Sequence, residues 1–140
     1  MTLLPEEVSL FQEDHVKPYL GVGKRPYDPS FRVIAYQLTQ PECPYLDKDK
    51  CVKYLDRPAT CRQFPFSLDP DLEEDILLGV DMNCPVATEL VNTSDSLIEF
   101  LDRNSAMKLY KLKKYTVENP RRTWVYDLDN NRWIRCDKLS

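Results

Sequence analysis

Glycine, histidine and long apolar runs are scarce in this sequence, and each scarcity excludes a class of protein. Only 3 glycines are present, which argues against a glycine-rich loop that holds phosphate groups. The chain has a single histidine, His15, which nearly excludes a histidine-based triad or a two-histidine metal site. The longest wholly apolar run, residues 76–80, is far shorter than the roughly 20 residues of a membrane span.

No targeting signal is visible at the start of the sequence. Glu6 and Glu7 fall where a secretory signal would carry basic residues. We therefore expect a cytoplasmic protein, in which thiols stay reduced. The 5 cysteines are then more readily metal ligands or redox groups than disulfides, and an odd number cannot all pair within one chain.

The composition is that of a folded globular protein. Of the 140 residues, 42% are hydrophobic and 30% are charged, so the chain can bury a core of its own. The 11 prolines indicate many fixed turns. A single domain is expected from this length.

In the first part of the chain, local patterns predict one helix and two strands. Pro5, followed by acidic residues and an apolar run, predicts a helix that ends near Pro18 or Gly21. Residues 31–38 and 76–82 are rich in β-branched and aromatic or aliphatic side chains and read as strands. These two strands could pair with one another.

The remaining elements complete a small α+β fold. Pro58 predicts the first position of a short helix that carries Cys61, and residues 67–75 read as an acidic loop. The longest helix is predicted from Ser94 to about Tyr115. Residues 123–136 read as a β-hairpin with a turn at its Asp-Asn-Asn segment. The expected architecture is a single α+β domain of short strands and helices, with a long helix and a C-terminal hairpin.

The charge is unevenly distributed along the chain. Residues 1–102 contain 9 Lys and Arg against 19 Asp and Glu, whereas residues 103–140 contain 10 against 4. The C-terminal third, with a net charge of +6, could therefore meet an acidic partner or a nucleic acid. The simpler interpretation, which we favour, is that it lies against the acidic remainder of its own domain.

Four of the cysteines fall in the middle of the chain and are candidate metal ligands. They are Cys43, Cys51, Cys61 and Cys84. Four thiolates suit a tetrahedral zinc ion or an iron–sulfur cluster. The spacing contains no C-x2-C pair and is a weak signal by itself, so ordinary buried cysteines remain an alternative. Arg57, Arg62, Lys50 and Lys53 are close in sequence and could offset the negative charge.

A longer motif surrounds these cysteines. Residues 51–66 read CVKYLDRPATCRQFPF, and residues 43–46 read CPYL. This stretch resembles the YkgJ-type cysteine-cluster family of zinc- or iron-chelating proteins, in which a C-P-x-L element precedes C-x-I-Y-x-x-R-P-x-x-C-R-x-F-P-F. Lys53 replaces an aliphatic residue of that pattern, and Cys84 matches the later cysteine that completes the family's set. The resemblance implies a zinc or iron site at the four cysteines.

One departure from the family is visible. Its dense N-terminal cysteine cluster, which usually precedes a segment like Leu3 to Val8, is absent here. Two interpretations stay open: the natural protein starts earlier, or this member has lost part of its ligands. We assign residues 1–92 to the metal-binding region. Residues 93–140 form a helix and a hairpin, in the same domain or as a C-terminal extension.

Three classes of function are compatible with these observations. The first is a metal-binding protein with a structural or carrier role, which we favour, without catalysis in this chain alone. The second is an iron-dependent redox enzyme, for which the sequence shows no motif of an open site. The third is an adaptor for nucleic acid or a protein partner through the basic C-terminal third. The residues of that third are Lys108, Lys111, Lys113, Lys114, Arg121, Arg122, Trp124, Arg132 and Trp133.

The fifth cysteine, Cys136, ends the predicted hairpin. Its neighbours Arg135 and Lys138 are cations that could lower the pKa of its thiol. A reactive cysteine also needs a prepared site, so we expect Cys136 to be passive.

Overall fold

The structure is a computed structural model of the chain. It describes residues 2–39, 46–47, 50–51, 57–64, 66–70, 76–81, 85–93 and 101–139. At residues 46–47, 50–51, 85–87 and 90 the description covers the backbone alone. None of the helices in these ranges is long and apolar enough to cross a membrane.

Helices and antiparallel strands confirm the α+β class, and they are distributed over two compact units. The first unit consists of Met1–Pro58 and Thr116–Ser140, and the second is Ala59–Tyr115. The first unit is therefore built from both ends of the chain.

The larger of the described sheets in the first unit is antiparallel and has five strands. Its strands are β1 (Thr2–Leu3), β2 (Val16–Val22), β3 (Arg32–Leu38), β8 (Thr123–Asp127) and β9 (Arg132–Arg135). They lie in the order β1-β3-β2-β8-β9, so the C-terminal hairpin extends the sheet of the N-terminal strands.

The long first helix predicted from the sequence is wrong. A 3-10 helix spans Pro5–Leu10, a second covers Glu13–His15, and β2 begins at Val16. The backbone N–H of Leu4 donates to Glu7 Oε1 at 2.9 Å, so the segment does begin as a capped turn. Residues from Val16 onward instead form β2, which gains ladder hydrogen bonds on both sides.

Buried apolar side chains form a core in the first unit. Leu3 is fully buried, and it packs with three further buried side chains. These are Phe11, Val16 and Leu38. Fully burying such side chains contributes roughly 1.5–3 kcal/mol each, which outweighs the weak helix preference of residues 5–18.

The C-terminal hairpin of the first unit is confirmed. Trp124 lies opposite Arg135 and Tyr126 opposite Trp133 in the β8–β9 ladder. In the turn, Asn131 has φ 51°, a left-handed conformation that asparagine tolerates. A hydrogen bond from the Asn130 side chain to the Asp127 carboxylate, 2.7 Å long, is the main cause of a lowered pKa at Asp127.

The second unit contains a β-hairpin and three helices among the described residues. Strands β6 (Phe66–Pro70) and β7 (Ile76–Val80) pair with each other. The predicted acidic loop at residues 67–75 is therefore wrong at its beginning, and β7 pairs with β6 rather than with β3. Leu68 is buried, whereas its neighbours Ser67 and Asp69 are half-buried, which is the alternation expected of a strand.

The helices of the second unit are α1 (Ala59–Gln63), α2 (Pro85–Thr93) and α3 (Arg103–Glu118). α3 ends beyond the unit, which closes at Tyr115. The sequence predicted α3 from Ser94, whereas the structure begins it at Arg103, and residues 94–100 lie outside the described part. The Asp102 carboxylate accepts from the backbone N–H of Ser105 at 3.1 Å, so Asp102 is the N-cap.

Apolar side chains from α3 and the β6–β7 hairpin form the core of the second unit. The buried members are Phe66, Leu68, Leu101, Ala106 and Tyr110. On the polar side of α3, Lys113 Nζ lies 2.7 Å from Asp69 Oδ1 on β6. This ion pair connects a cation of the basic C-terminal third with an acidic residue of the remaining chain.

Candidate metal centre

Cys61 lies in the middle of the short helix α1. Pro58 is buried directly before the helix, and Ala59 is only 3% exposed, so this end of α1 is packed against the protein. Cys61 follows Ala59 by two positions, about 200° around the helix axis, and its side chain is half-buried. The predicted short helix with Cys61 and Arg62 is confirmed, and Arg62 is exposed.

A cavity of about 350 Å³ lies beside α1 and the β6–β7 hairpin. Its polar lining comes from Thr60, Gln63, Ser67 and Asp81. Thr60 and Gln63 are three positions apart, so they share one face of α1. Gln63 Oε1 is buried and has no hydrogen-bond partner in the described part of the chain. An unmet buried acceptor of this kind costs about 1–3 kcal/mol.

Sequence reasoning missed Gln63. It occupies the variable position of the C-R-x-F-P-F element, and nothing in its residue type distinguished it from a surface glutamine. The one available signal was its spacing from Thr60 on a predicted helix. Its burial depends on Phe66 and on the β6–β7 hairpin, which belong to the same unit.

Cys51 ends a two-residue strand in a small hairpin. β4 (Leu46–Asp47) pairs with β5 (Lys50–Cys51), with Leu46 opposite Cys51. A tight antiparallel hairpin is a common way for a backbone to bring a ligand to the end of a strand. The description of Cys51 stops at its backbone.

The remaining two candidate ligands, Cys43 and Cys84, lie outside the described residues. α2 begins at Pro85, directly after Cys84 in the chain, with proline at its first position. Within the described ranges no group of three or more His, Cys, Asp and Glu side chains could hold a metal ion. Because Cys61 is the one candidate ligand whose side chain falls in those ranges, the four-cysteine assignment stays a prediction.

Cys136 has a different environment from the one the sequence indicated. Burial, and secondly the negative charge of Asp137, raise the pKa of its thiol above the ordinary value. The nearby cation is engaged elsewhere, since Arg135 Nε donates to Asp137 Oδ1 at 2.6 Å. The lowered pKa considered from the sequence is therefore wrong, and a protonated, half-buried thiol fits a passive cysteine.

Comparison with protein families shows which family the chain belongs to. A profile of the CxxCxxCC family, described as a zinc- or iron-chelating domain, matches residues 6–116. No curated protein and no solved structure matches the chain. The family match covers well over half of the sequence and confirms the resemblance seen around the cysteines. The chain therefore belongs to the CxxCxxCC family of zinc- or iron-chelating domains.

Proposed function

We propose that this protein binds one zinc or iron centre through Cys43, Cys51, Cys61 and Cys84. The observation that carries the proposal is the extent of the family match. Residues 6–116 include all four of these cysteines and leave out Cys136. The matched range therefore contains the four candidate ligands and excludes Cys136, whose thiol has a raised pKa.

The donor chemistry fits the metals of the family. Four thiolates around Zn²⁺ leave a net charge of about −2, and they match the preference of zinc and iron–sulfur centres for sulfur ligands. Arg62, exposed on α1 next to Cys61, supplies a cation close to that charge in sequence.

A closed four-thiolate site stabilises a fold or carries a metal, and it leaves no coordination position for a substrate. We therefore propose a structural or carrier role with zinc or iron. An iron–sulfur centre with a redox role is the alternative for the same ligands. The proposal places the protein in the cytoplasm, because thiolate ligands require a reducing compartment.

The test is elemental analysis and a visible absorption spectrum of protein purified without oxygen. We expect about one zinc or iron per chain. Serine at any one of the four proposed ligand positions should weaken metal binding by at least about tenfold, because a thiolate donor is lost. Cys136→Ser is the matched control and should retain the full metal content.

Zinc without colour would assign a mononuclear site, whereas iron with sulfide and a brown absorbance would assign a cluster. Full metal content in Cys43→Ser and Cys84→Ser, or its loss in Cys136→Ser, would refute the ligand set. Protein that takes up neither metal under reducing conditions would refute the function.

A further inference from the structure

A second cavity, which we call the edge pocket, lies along the outer edge of the five-stranded sheet in the first unit. Its volume is about 450 Å³, within the range of small-molecule pockets. Its lining residues are Trp124, Arg132, Trp133, Ile134, Arg135 and Lys138. β9 is the terminal strand of the described sheet, and all four of its residues line the cavity. Because side chains alternate along a strand, the cavity follows the edge of β9 rather than one face.

The two indoles of this pocket are held in fixed orientations. Trp124 Nε1 donates to the backbone oxygen of Gly23 at 3.1 Å. The ring of Trp133 makes edge contacts with Phe31 and Tyr126, with centroids 5.1 and 5.2 Å away. Both tryptophans are half-buried, so part of each side chain remains accessible. Rings fixed in this way lose little conformational entropy when a ligand stacks on them.

Three cations line the pocket beside the indoles. Arg132 and Lys138 are exposed, with Asp127 opposite Arg132 in the β8–β9 ladder and Asp137 next to Lys138 in the chain. The third cation, Arg135, is largely neutralised by its 2.6 Å ion pair with Asp137. The pocket therefore offers two exposed positive charges beside two aromatic rings, with three lining cations against two neighbouring carboxylates.

We infer that this pocket binds single-stranded nucleic acid. A base stacks on the exposed indole surface, and the adjoining phosphates contact Arg132 and Lys138. Aromatic rings interleaved with cations are the groups that sequence-tolerant single-strand binding uses, at about 1–3 kcal/mol per stacked base. An acidic peptide would satisfy the cations and would leave the indoles without a planar partner. The inference does not depend on the proposed metal site.

The chain provides its own probe for this site. It has 2 tryptophans, Trp124 and Trp133, and both line the pocket. Intrinsic tryptophan emission of the intact protein should therefore be quenched by an oligothymidylate of about eight nucleotides, the length of one single-strand site. If two phosphates are neutralised, the logarithm of affinity should fall with the logarithm of salt concentration with a slope of about −1.4.

Two charge-matched variants separate a local site from a general charge effect. Arg132→Ala/Lys138→Ala should weaken binding at least tenfold and remove most of the salt dependence, since it deletes the proposed phosphate contacts. Lys17→Ala/Arg103→Ala removes the same charge from exposed positions that do not line the pocket, and should bind within twofold of the natural chain. Circular dichroism confirms that both variants remain folded.

Three results would overturn the inference. The first is the absence of quenching by the oligonucleotide at low salt. The second is an equal loss of affinity in the two double variants. The third is equal binding of polyglutamate, or of thymidine monophosphate, because the pocket would then recognise acidic chains or single nucleotides instead of a nucleic-acid strand.

Discussion

At the scale of single residues, Gly21 determines how the aromatic cluster lies on the sheet. A Cβ at this position would overlap the far edge of the Phe31 ring, which therefore lies directly over the glycine. The same ring contacts Trp133 at an interplanar angle of 72°. A residue without a side chain in the middle of β2 thus permits the packing that orients one indole of the edge pocket.

Gly21→Ala is expected to destabilise the protein by about 1–2 kcal/mol. Overpacking costs about 1–3 kcal/mol, and the better strand preference of alanine returns about 0.5–1 kcal/mol. Urea unfolding followed by tryptophan emission measures the difference. Gly79→Ala is the control, because its Cβ would meet the Ser67 hydroxyl, which can rotate away at lower cost. An equal loss at the two glycines would contradict the proposed role of Phe31.

At the scale of elements, burial rather than ion pairing holds α3 in the second unit. Lys113 and Asp69 are 39% and 46% exposed, so their ion pair contributes at most about 1 kcal/mol. Leu109 and Tyr110 are 4% and 5% exposed, and burial of such side chains contributes roughly 1.5–3 kcal/mol each. At the start of α3, the side chain of Asp102 caps the first turn.

Asp102→Ala should lower the free energy of unfolding by about 1 kcal/mol, since the cap hydrogen bond to Ser105 is lost. Asp102→Asn should retain most of the stability, because asparagine caps equally well. Chemical denaturation of both variants measures the effect. Asn104→Ala, at an exposed position of the first turn, serves as the control and should be neutral. If alanine and asparagine at position 102 behave alike, Asp102 does not cap α3.

At the scale of the whole molecule, each unit has its own cluster of buried apolar side chains, and neither cluster includes a cysteine among its described members. We therefore expect both units to retain a hydrophobic core when no metal is bound. Metal binding adds to this stability by mass action.

Removal of the metal should accordingly weaken the fold without abolishing it. At a metal concentration 100 times the dissociation constant, the bound ion stabilises by about 2.7 kcal/mol, and a chelator should remove this amount. Urea unfolding with and without the chelator, under reducing conditions, gives the difference. The Cys136→Ser variant should show the same loss. A chelated protein without a cooperative transition would mean that the metal is required for folding.

The sequence alone determined the features that depend on neighbouring residues. The β8–β9 hairpin was predicted because its turn chemistry lies between the strands, and α1 was predicted from Pro58 at its start. The α+β class and the family followed from the same local patterns. The prediction of the four-cysteine site also comes from the sequence alone.

Tertiary structure decided the features that depend on distant residues. Val16–Val22 became a strand because β3 and β8 supply its hydrogen bonds from both sides, and β8 is about a hundred positions away. Local sequence at Pro5 favoured a helix, and these remote partners outweighed it. The same holds for the edge pocket, where the Gly23 oxygen and the Phe31 ring orient Trp124 and Trp133. Hydrogen bonds and packing between distant segments are visible only once the chain has folded, and for that reason no local pattern could predict them.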